Sequence, residues 1–402
     1  MRQPESRTVA VLLTCLVAVG PISTDLYLPS LPSLVGVFHT DVAKVQLTLS
    51  VFLLGFALSQ LIYGPLSDRF GRRPMMIAGL IIYLAATAAG TLATSIEALI
   101  VARFFQALGG CCGPVLGRAV VRDVYGVARA ARMLAYMGAA MALAPALGPI
   151  IGGYLFVWFG WKSSFYLLAA FGAACLAGVV AWLPETNAHK NPHATDPAML
   201  VKNYASIGRH PQFLGYALCV AFGYSVIFVF ISGSSFVLVD VLGVAPENFG
   251  YCFATAVAGY IIGTFLSGRL TLKLGINRMI AMGTALAALA GVVMAALALA
   301  GVYTVAAILV PIVFCFAGVG LNFPNAIAGA IGPFPKMAGA ASALMGFIQM
   351  SCAAAIGYGV GHLYNGTPVP MAIAMAAVGC AGLATYWLLV KPGQTRSMVQ
   401  HT

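Results

Sequence analysis

Charged residues are scarce in this chain. They make up 8% of its 402 residues, whereas 61% are hydrophobic, and only ten residues are acidic. Soluble domains are about one quarter charged, so this composition excludes an ordinary soluble fold. A helix that crosses a bilayer needs about 20 mostly apolar residues, and the sequence contains about twelve such stretches. We predict an all-α polytopic membrane protein with spans at 8–31, 45–66, 75–95, 98–121, 131–156, 162–184, 212–239, 248–272, 279–300, 303–327, 337–361 and 369–390.

Motifs for several kinds of chemistry are also missing. The chain has no Gly-Lys dipeptide, so it lacks the phosphate-binding loop of an ATP-driven pump. A hydrolase inside the membrane would need a catalytic pair, such as two aspartates or a serine with a histidine. One aspartate lies inside a predicted span, and all six histidines fall in loops, tails or span ends. We therefore predict that the protein is not an enzyme and has no cofactor, while a receptor that transports nothing stays open.

The cysteines fit the same picture. There are nine, none forms a Cys-x-x-Cys pair, and all lie within or at the ends of predicted spans. Such cysteines behave as small apolar packing residues. The sequence therefore predicts neither a disulfide framework nor a metal site.

Basic residues are unevenly distributed and give a net charge of +11. If the N-terminus is cytoplasmic, only Lys44 and Lys162 fall in loops on the opposite side, and Arg103 and Arg118 lie within a span. This positive-inside bias predicts a protein of the cell inner membrane with both termini in the cytoplasm. The basic charge then reflects topology and not nucleic-acid binding. The cytoplasmic set is Arg2, Arg7, Arg69, Arg72, Arg73, Arg122, Arg129, Arg132, Lys190, Lys202, Arg209, Arg269, Lys273, Arg278, Lys336, Lys391 and Arg396.

The longest polar interruption separates six spans from six. We predict an N-terminal six-helix bundle over 1–184, a cytoplasmic linker over 185–210 and a C-terminal six-helix bundle over 211–402. Within the linker, residues 197–208 fit either a short interfacial helix or a plain connection. A weak repeat relates 66–73 to 266–269, each after the second span of its half. Such repeats predict two parallel bundles with a binding site between them near the bilayer midplane.

Asp25 is the one acidic residue well inside a predicted span. A carboxylate in a low-dielectric surrounding favours its neutral form, so Asp25 is a candidate proton carrier. The alternative is a helix end among lipid headgroups, because Pro29 and Pro32 follow closely. Arg103 lies about 9 Å inside the fourth span, counted from Glu97, at a depth similar to that of Asp25. We predict that Arg103 pairs with ionised Asp25, or else that it binds backbone carbonyls.

A cluster of charged residues interrupts the apolar sequence at 64–74, which reads GPLSDRFGRRP. Gly64 and Gly71 permit sharp turns, so we predict a short loop at the membrane face. Asp68 could accept hydrogen bonds from a helix N-terminus or pair with Arg122. Such a latch would stabilise one closed state, and the alternative is a topology signal only. The gating set is Gly64, Asp68, Arg69, Gly71, Arg72, Arg73, Arg122 and Asp123.

The fifth predicted span contains a glycine–proline string. Gly148 and Gly152 are four residues apart, lie on one helix face and permit close approach of another helix. The eighth span offers a similar pair, Gly259 and Gly263. We predict that these two helices pack tightly across the interface between the two halves and seal the external side, with ordinary helix packing as the alternative. The string consists of Pro145, Gly148, Pro149, Gly152 and Gly153.

Together these motifs resemble those of the major facilitator superfamily. Residues 64–73 match its loop motif, and Arg103, Gln106 and Gly109 match its fourth-span motif, although Ala107 stands where glycine is usual. Residues 148–153 match the fifth-span motif of its drug–proton antiporters. The segment 25–32, DLYLPSLP, is similar to the first span of the Bcr/CflA drug-resistance exporters, which include bicyclomycin and chloramphenicol pumps. The resemblance implies two six-helix bundles around a central cavity, monomeric by class default. It also implies efflux of small, largely apolar drugs in exchange for protons.

An uptake carrier, or a sugar or metabolite exporter of the same superfamily, is the alternative. The 148–153 string disfavours uptake, but sugar exporters can share it. The substrate site is poorly specified, because each candidate side chain suits packing as well as a ligand pocket. The candidate cavity residues are Tyr27, Tyr224, Phe228, Phe230, Tyr260, Asn322, Asn325 and Gln349.

Overall fold

The computed structural model describes residues 6–125 and 127–392, which form helices and contain no strand. Arg2 and Arg396, two of the basic residues assigned to the cytoplasm, lie outside the described residues. The α-helices are α1 (Arg7–Asp25), α2 (Leu31–Val37), α3 (Val42–Phe70), α4 (Arg72–Thr91), α5 (Ile96–Gly110), α6 (Cys112–Val124), α7 (Val127–Phe159), α8 (Lys162–Trp182), α9 (Pro197–Gly208), α10 (Pro211–Ser235), α11 (Pro246–Leu274), α12 (Ile276–Leu299), α13 (Val305–Ile331), α14 (Ala338–His362) and α15 (Val369–Thr385). Short 3₁₀ segments lie at Leu28–Ser30 and Pro335–Met337, and π-helical turns extend α10 over Phe236–Val241 and α15 over Tyr386–Val390.

Twelve helical segments in the described part of the chain are long and apolar enough to cross a membrane. Each overlaps one predicted stretch, so the prediction of an all-α polytopic membrane protein is confirmed. Several helices extend beyond the apolar stretch that predicted them. The second span, for example, runs over Val42–Phe70 rather than ending at 66, because its polar last turn is still helical.

The first span is broken inside the membrane. Its α-helix α1 ends at Asp25, a 3₁₀ turn follows at Leu28–Ser30, and α2 resumes at Leu31. Pro29 and Pro32 each lie in the first turn of one of these segments. Proline has no N–H to donate and clashes with the preceding turn, so the two prolines favour a break here. The break leaves Asp25 at a helix end in the middle of a span.

The chain divides into two compact units. The first comprises residues up to Leu200 together with Pro246–Gly250, and the second comprises Val201–Ala245 and the chain from Tyr251 onward. The core of the first unit includes Leu13, Leu16, Tyr83, Leu116 and Val120. The core of the second includes Ile207, Phe213, Tyr216, Met345 and Tyr386. The division falls within the predicted linker, where 197–208 forms α9 rather than a plain connection.

Candidate functional site

Asp25 is buried at the helix break, with 2% of its surface exposed, and is the only buried acidic side chain among the described residues. It is therefore not a helix end among lipid headgroups. The Thr24 hydroxyl lies 3.2 Å from Asp25 Oδ1 and also donates to the Pro21 carbonyl at 2.8 Å. One hydroxyl proton cannot serve both acceptors fully. An ionised Asp25 is thus poorly solvated here, whereas a protonated one could donate to Thr24 Oγ1.

The glycines of α7 enclose this carboxyl group. A Cβ atom at Gly148 would lie 3.0 Å from Asp25 Cβ, and one at Gly152 would lie 2.8 Å from the Leu26 carbonyl carbon. The Ser164 hydroxyl of α8 donates to the same Leu26 carbonyl at 3.1 Å. The backbone of α7 can approach α1 this closely only because these two positions lack side chains. The glycine–proline string and Asp25 therefore form one site.

The glycine pairs of the fifth and eighth spans, Gly148 with Gly152 and Gly259 with Gly263, do not face each other. The first pair faces α1, and a Cβ at Gly259 or Gly263 would lie 3.0 Å or 2.8 Å from a carbonyl carbon of α13. Each pair therefore faces a helix of its own unit. Small residues at a four-residue spacing mark a close helix contact but do not specify the partner helix.

Arg103 is fully buried in α5 and contacts α1 through the backbone. Its Nη1 atom donates to the Ser23 carbonyl at 2.8 Å and to Gln106 Oε1 at 2.6 Å. Its guanidinium carbon lies 4.3 Å from the centroid of the Phe52 ring and 5.1 Å from that of Tyr27. These rings and the carbonyl stabilise the positive charge in the absence of a carboxylate.

The predicted Asp25–Arg103 ion pair is not formed. The described ion pairs do not include these two residues, although Ser23, which binds Arg103, precedes Asp25 by only two positions. The alternative interpretation, binding to backbone carbonyls, describes the observed contact. Two donors of the buried guanidinium, Nε and Nη2, have no hydrogen-bond partner. Arg103 can therefore accommodate a further acceptor.

A ring of hydrogen bonds links α1, α4 and α5 around Arg103. Gln106 Nε2 donates to Thr87 Oγ1 at 2.9 Å, and Thr87 Oγ1 donates to the Tyr83 carbonyl at 2.6 Å. The Tyr83 hydroxyl lies 2.8 Å from Ser23 Oγ, which donates to Val19 O, so Tyr83 is the donor in that contact. Sequence reasoning singled out Arg103 and Gln106 but missed Ser23, Tyr83 and Thr87. Only the packing of three helices brings these common polar residues together.

The charged segment 64–74 is mostly helical and is not the predicted loop. Helix α3 runs through Gly64 to Phe70, and α4 begins at Arg72, so Gly71 alone separates them. Gly64 therefore makes no turn, whereas Gly71 has a φ of 111°. A Cβ at Gly71 would also lie 2.9 Å from Glu185 Cδ. Both its backbone conformation and its surroundings require glycine.

Arg72 is the centre of the gating set. It forms ion pairs of 2.5 Å with Asp68 Oδ1 and 3.0 Å with Asp123 Oδ2, and it donates to Ser67 Oγ at 2.6 Å. The predicted pairing of Asp68 with Arg122 is wrong, because Arg122 is exposed and Arg72 takes its place. The ends of α3, α4 and α6 are thereby joined through one guanidinium group.

Glu185 takes the capping role that the sequence suggested for Asp68. Its two carboxylate oxygens accept the backbone N–H groups of Arg72 at 2.9 Å and Arg73 at 3.3 Å, at the start of α4. A carboxylate is favourable at a helix N-terminus, where N–H groups lack intrahelical partners. Sequence reasoning missed Glu185, because 113 positions separate it from Arg72.

The segment after Glu185 binds the end of α3. Asn187 Nδ2 donates to the Ser67 and Asp68 carbonyls at 3.1 Å each, and the backbone N–H of Asn191 donates to the Asp68 carbonyl at 3.0 Å. Arg69 donates to Thr195 Oγ1 at 2.6 Å. The first part of the predicted linker is therefore attached to the α3–α4 junction. Arg73 of the same set reaches the Val180 carbonyl of α8 at 3.0 Å.

Several candidate cavity residues have structural roles. Tyr27 packs on Phe165 with ring centroids 5.5 Å apart, and Phe230 packs between Phe253 and Phe316. Asn325 donates to Ser267 Oγ at 2.7 Å and accepts from Thr271 Oγ1 at 3.0 Å. Phe228 and Gln349 are buried, and Tyr224 and Tyr260 are half-buried.

Asn322 lines a small cavity of about 10 Å³, which has room for about one water molecule. Its amide donates to the Cys219 carbonyl at 3.0 Å, while its Oδ1 atom is buried without a hydrogen-bond partner. The cavity is too small for a drug-sized ligand. The part of the chain that is described has no group of three or more His, Cys, Asp or Glu residues that could hold a metal ion.

Comparisons with known proteins agree with this architecture. The family model described as Major Facilitator Superfamily matches residues 13–358. The chain is 29% identical over 392 residues to the bicyclomycin resistance protein homolog of Haemophilus influenzae, covering 97% of this chain and 98% of that protein. It is 29% identical over 349 residues to multidrug resistance protein D of Escherichia coli K12, covering 87% of each. The crystal structure of a D-xylose–proton symporter is similar with a TM-score of 0.76, covering 95% of this chain and 96% of that one. At 14% identity, that likeness shows the shared fold alone.

Proposed function

The chain belongs to the Major Facilitator Superfamily, and from this premise we propose that it exports small, largely apolar drugs in exchange for protons. The names of two relatives that align over most of their length support drug export, since both are resistance proteins. We place the protein in the inner membrane with both termini in the cytoplasm, on the distribution of its basic residues. We also propose that it acts as a monomer.

Asp25 is the proposed proton carrier. The observation that carries this proposal is a lone buried carboxyl group at a helix break, with a single shared hydroxyl as its hydrogen-bond partner. Such a group is stable when protonated and must gain a partner or water when it ionises. A conformational change that opens the contact between α1 and α7 would provide that water and release the proton.

Arg103 is the proposed partner of ionised Asp25. Its Nε and Nη2 donors are buried and unpaired, and its existing bond to Ser23 anchors it to the same segment of α1. A carboxylate that moved toward these donors would satisfy both charges at once. Protonation of Asp25 would break its ion pair with Arg103 and restore the observed arrangement.

The energy of exchange is sufficient for uphill export. One positive charge that moves inward through a potential of 100 mV releases about 2.3 kcal/mol, which supports a drug gradient of about 50-fold. A sugar or metabolite exporter of the same superfamily is the second candidate. It rests on the glycine–proline string, which is not restricted to drug pumps. The substrate cavity residues also remain a proposal.

The substitution Asp25→Asn tests proton coupling. In inverted vesicles with an acidic interior, we expect wild-type protein to accumulate radiolabelled chloramphenicol against its gradient. Accumulation by the variant should be at least tenfold lower, because an amide cannot carry a proton. The variant should still exchange drug down a gradient. Asp240→Asn, an equal change at an exposed acid, should retain the uphill activity. Undiminished uphill accumulation by Asp25→Asn would reject Asp25 as the carrier.

A further inference from the structure

We propose that a groove on the surface of the first unit binds an anionic phospholipid. The groove lies between α1 and α8 and has a volume of about 490 Å³. Its lining includes Arg7, Val11, Cys15, Phe171, Ala174 and Trp182. None of these residues takes part in the site around Asp25, and the proposal does not depend on what the protein transports.

The length of the groove matches one leaflet of a bilayer. From Arg7 to Cys15, α1 rises about 12 Å, and from Phe171 to Trp182, α8 rises about 16 Å. The hydrocarbon of a single leaflet is about 15 Å thick. Spans one and six run in opposite directions, so Arg7 and Trp182 lie at the same end. The groove therefore fits one acyl chain that enters from the leaflet where α1 begins.

The polar end of the groove suits a phosphate group. Arg7 is exposed, and no carboxylate among the described residues forms an ion pair with it. It is the first residue of α1, where the Ser6 hydroxyl caps the Val9 N–H at 3.3 Å and the helix dipole favours an anion. Thr8, which carries a hydroxyl, lines the groove next to Arg7. A headgroup phosphate would thus meet a guanidinium, a hydroxyl and a helix N-terminus together.

The remainder of the groove suits hydrocarbon. Val11 is 64% exposed and Trp182 is 51% exposed, and both lie on membrane-spanning helices. Tryptophan is enriched at the depth of lipid headgroups, where its ring meets both hydrocarbon and water. Charge at one end and apolar walls along the rest distinguish a phospholipid from a free anion or a drug. The occupant that fits is a lipid with a net negative headgroup.

Quenching of Trp182 fluorescence by brominated lipids tests this proposal. The full-length protein with Trp158→Phe, Trp161→Phe and Trp387→Phe retains Trp182 as its one tryptophan. In mixed bilayers we expect brominated phosphatidylglycerol to associate with Trp182 about fivefold more strongly than brominated phosphatidylcholine, the preference that one basic side chain provides near a membrane surface. Arg7→Gln should reduce this ratio to about one. Lys202→Gln, which removes an exposed basic charge outside the groove, should leave it unchanged.

A second pair of variants tests the acyl chain. Ala174→Phe fills the groove and should weaken quenching by both brominated lipids, whereas Ala173→Phe, at an exposed neighbour outside the groove, should not. Native mass spectrometry of otherwise wild-type protein with and without Arg7→Gln gives an independent count of bound phosphatidylglycerol, should the triple tryptophan replacement fail to fold. Equal quenching by the two lipids in the parent protein, or an equal loss in Lys202→Gln, would overturn the proposal. Displacement of the lipid by millimolar inorganic phosphate would also overturn it, because the site would then recognise a free anion.

Discussion

Asp25 and Arg103 are the two buried charged side chains around which the first unit is arranged, and they are held apart. Arg103 binds the Ser23 carbonyl and two aromatic rings, while Asp25 shares the hydroxyl of Thr24. An isolated carboxylate and an isolated guanidinium would each be costly to bury. The arrangement is stable if Asp25 carries its proton. The unpaired Nε and Nη2 donors of Arg103 could then bind the carboxylate once Asp25 ionises.

The substitution Arg103→Lys tests how far this geometry matters. A lysine keeps the charge but has no planar group to stack on Phe52 and no counterpart of the unpaired Nε and Nη2 donors. Loss of a buried bond from a charged group costs about 1.5–3 kcal/mol, so we expect proton-driven drug accumulation to fall by about 10- to 100-fold. Arg132→Lys, at an exposed arginine that donates to the Tyr136 hydroxyl, serves as the control. Equal activity of the two variants would mean that charge alone suffices at position 103.

Single residues could be picked out from the sequence where their type is rare, and were missed where it is common. Asp25 and Arg103 stand out because charged residues are almost absent from the spans. Tyr83 and Thr87 do not stand out, since many spans carry such side chains, and only the contact of α4 with α5 and α1 gives them a role. A local pattern cannot show which helices are neighbours in space.

The contact between α7 and α1 is the main feature at the scale of elements. Its closeness depends on Gly148 and Gly152, and it encloses Asp25. The glycine spacing predicted a close helix contact, but it did not reveal that Gly148 and Gly152 face α1. The charged segment 64–74 shows a related limit, because polar residues signalled a loop where the backbone continues as helix to Phe70. Backbone N–H and carbonyl groups there are satisfied by Glu185 and Asn187, which the local sequence does not reveal.

Alanine substitutions in α7 test this contact. A methyl group at Gly152 would collide with the Leu26 carbonyl, so Gly152→Ala should destabilise the protein by about 1–3 kcal/mol. Gly148→Ala should have a smaller effect, since its nearest contact, Asp25 Cβ, is 3.0 Å away. Gly138→Ala, in the same helix, should be neutral because nothing lies within 4 Å of the added methyl group. Thermal unfolding followed by size-exclusion chromatography in detergent measures the order of the three, and a Gly138 variant as unstable as the Gly152 variant would contradict this interpretation.

For the molecule as a whole, the apolar stretches of the sequence were enough to predict twelve membrane-spanning helices. Apolar length alone marks each span, because the bilayer requires it of any chain. The division into units was less accessible, since Pro246–Gly250 groups with the first unit through the contact of Gly250 with Ile150 and of Gly153 with Pro246. Such a contact joins residues almost 100 positions apart and has no signature in local sequence.

Cysteine labelling tests the proposed orientation. In a cysteine-free background, His193→Cys in the linker should react with a membrane-impermeant maleimide only after cells are permeabilised. Asn365→Cys, in the exposed turn between α14 and α15, should react in intact cells. The positive-inside distribution of basic residues is the reason for this expectation. Labelling of position 193 in intact cells would reverse the topology and with it the direction of proposed export.

Attachment of residues 185–195 to the α3–α4 junction limits where the polypeptide can be divided. Two separately expressed halves should assemble best when the cut follows Asp196, because the N-terminal fragment then retains Glu185, Asn187, Asn191 and Thr195 with their partners. A cut at Pro184 would remove from the first fragment the carboxylate that caps the start of α4. The earlier part of the connector is therefore a component of the amino-terminal fold, whereas Ile207, in its later part, packs in the core of the second unit.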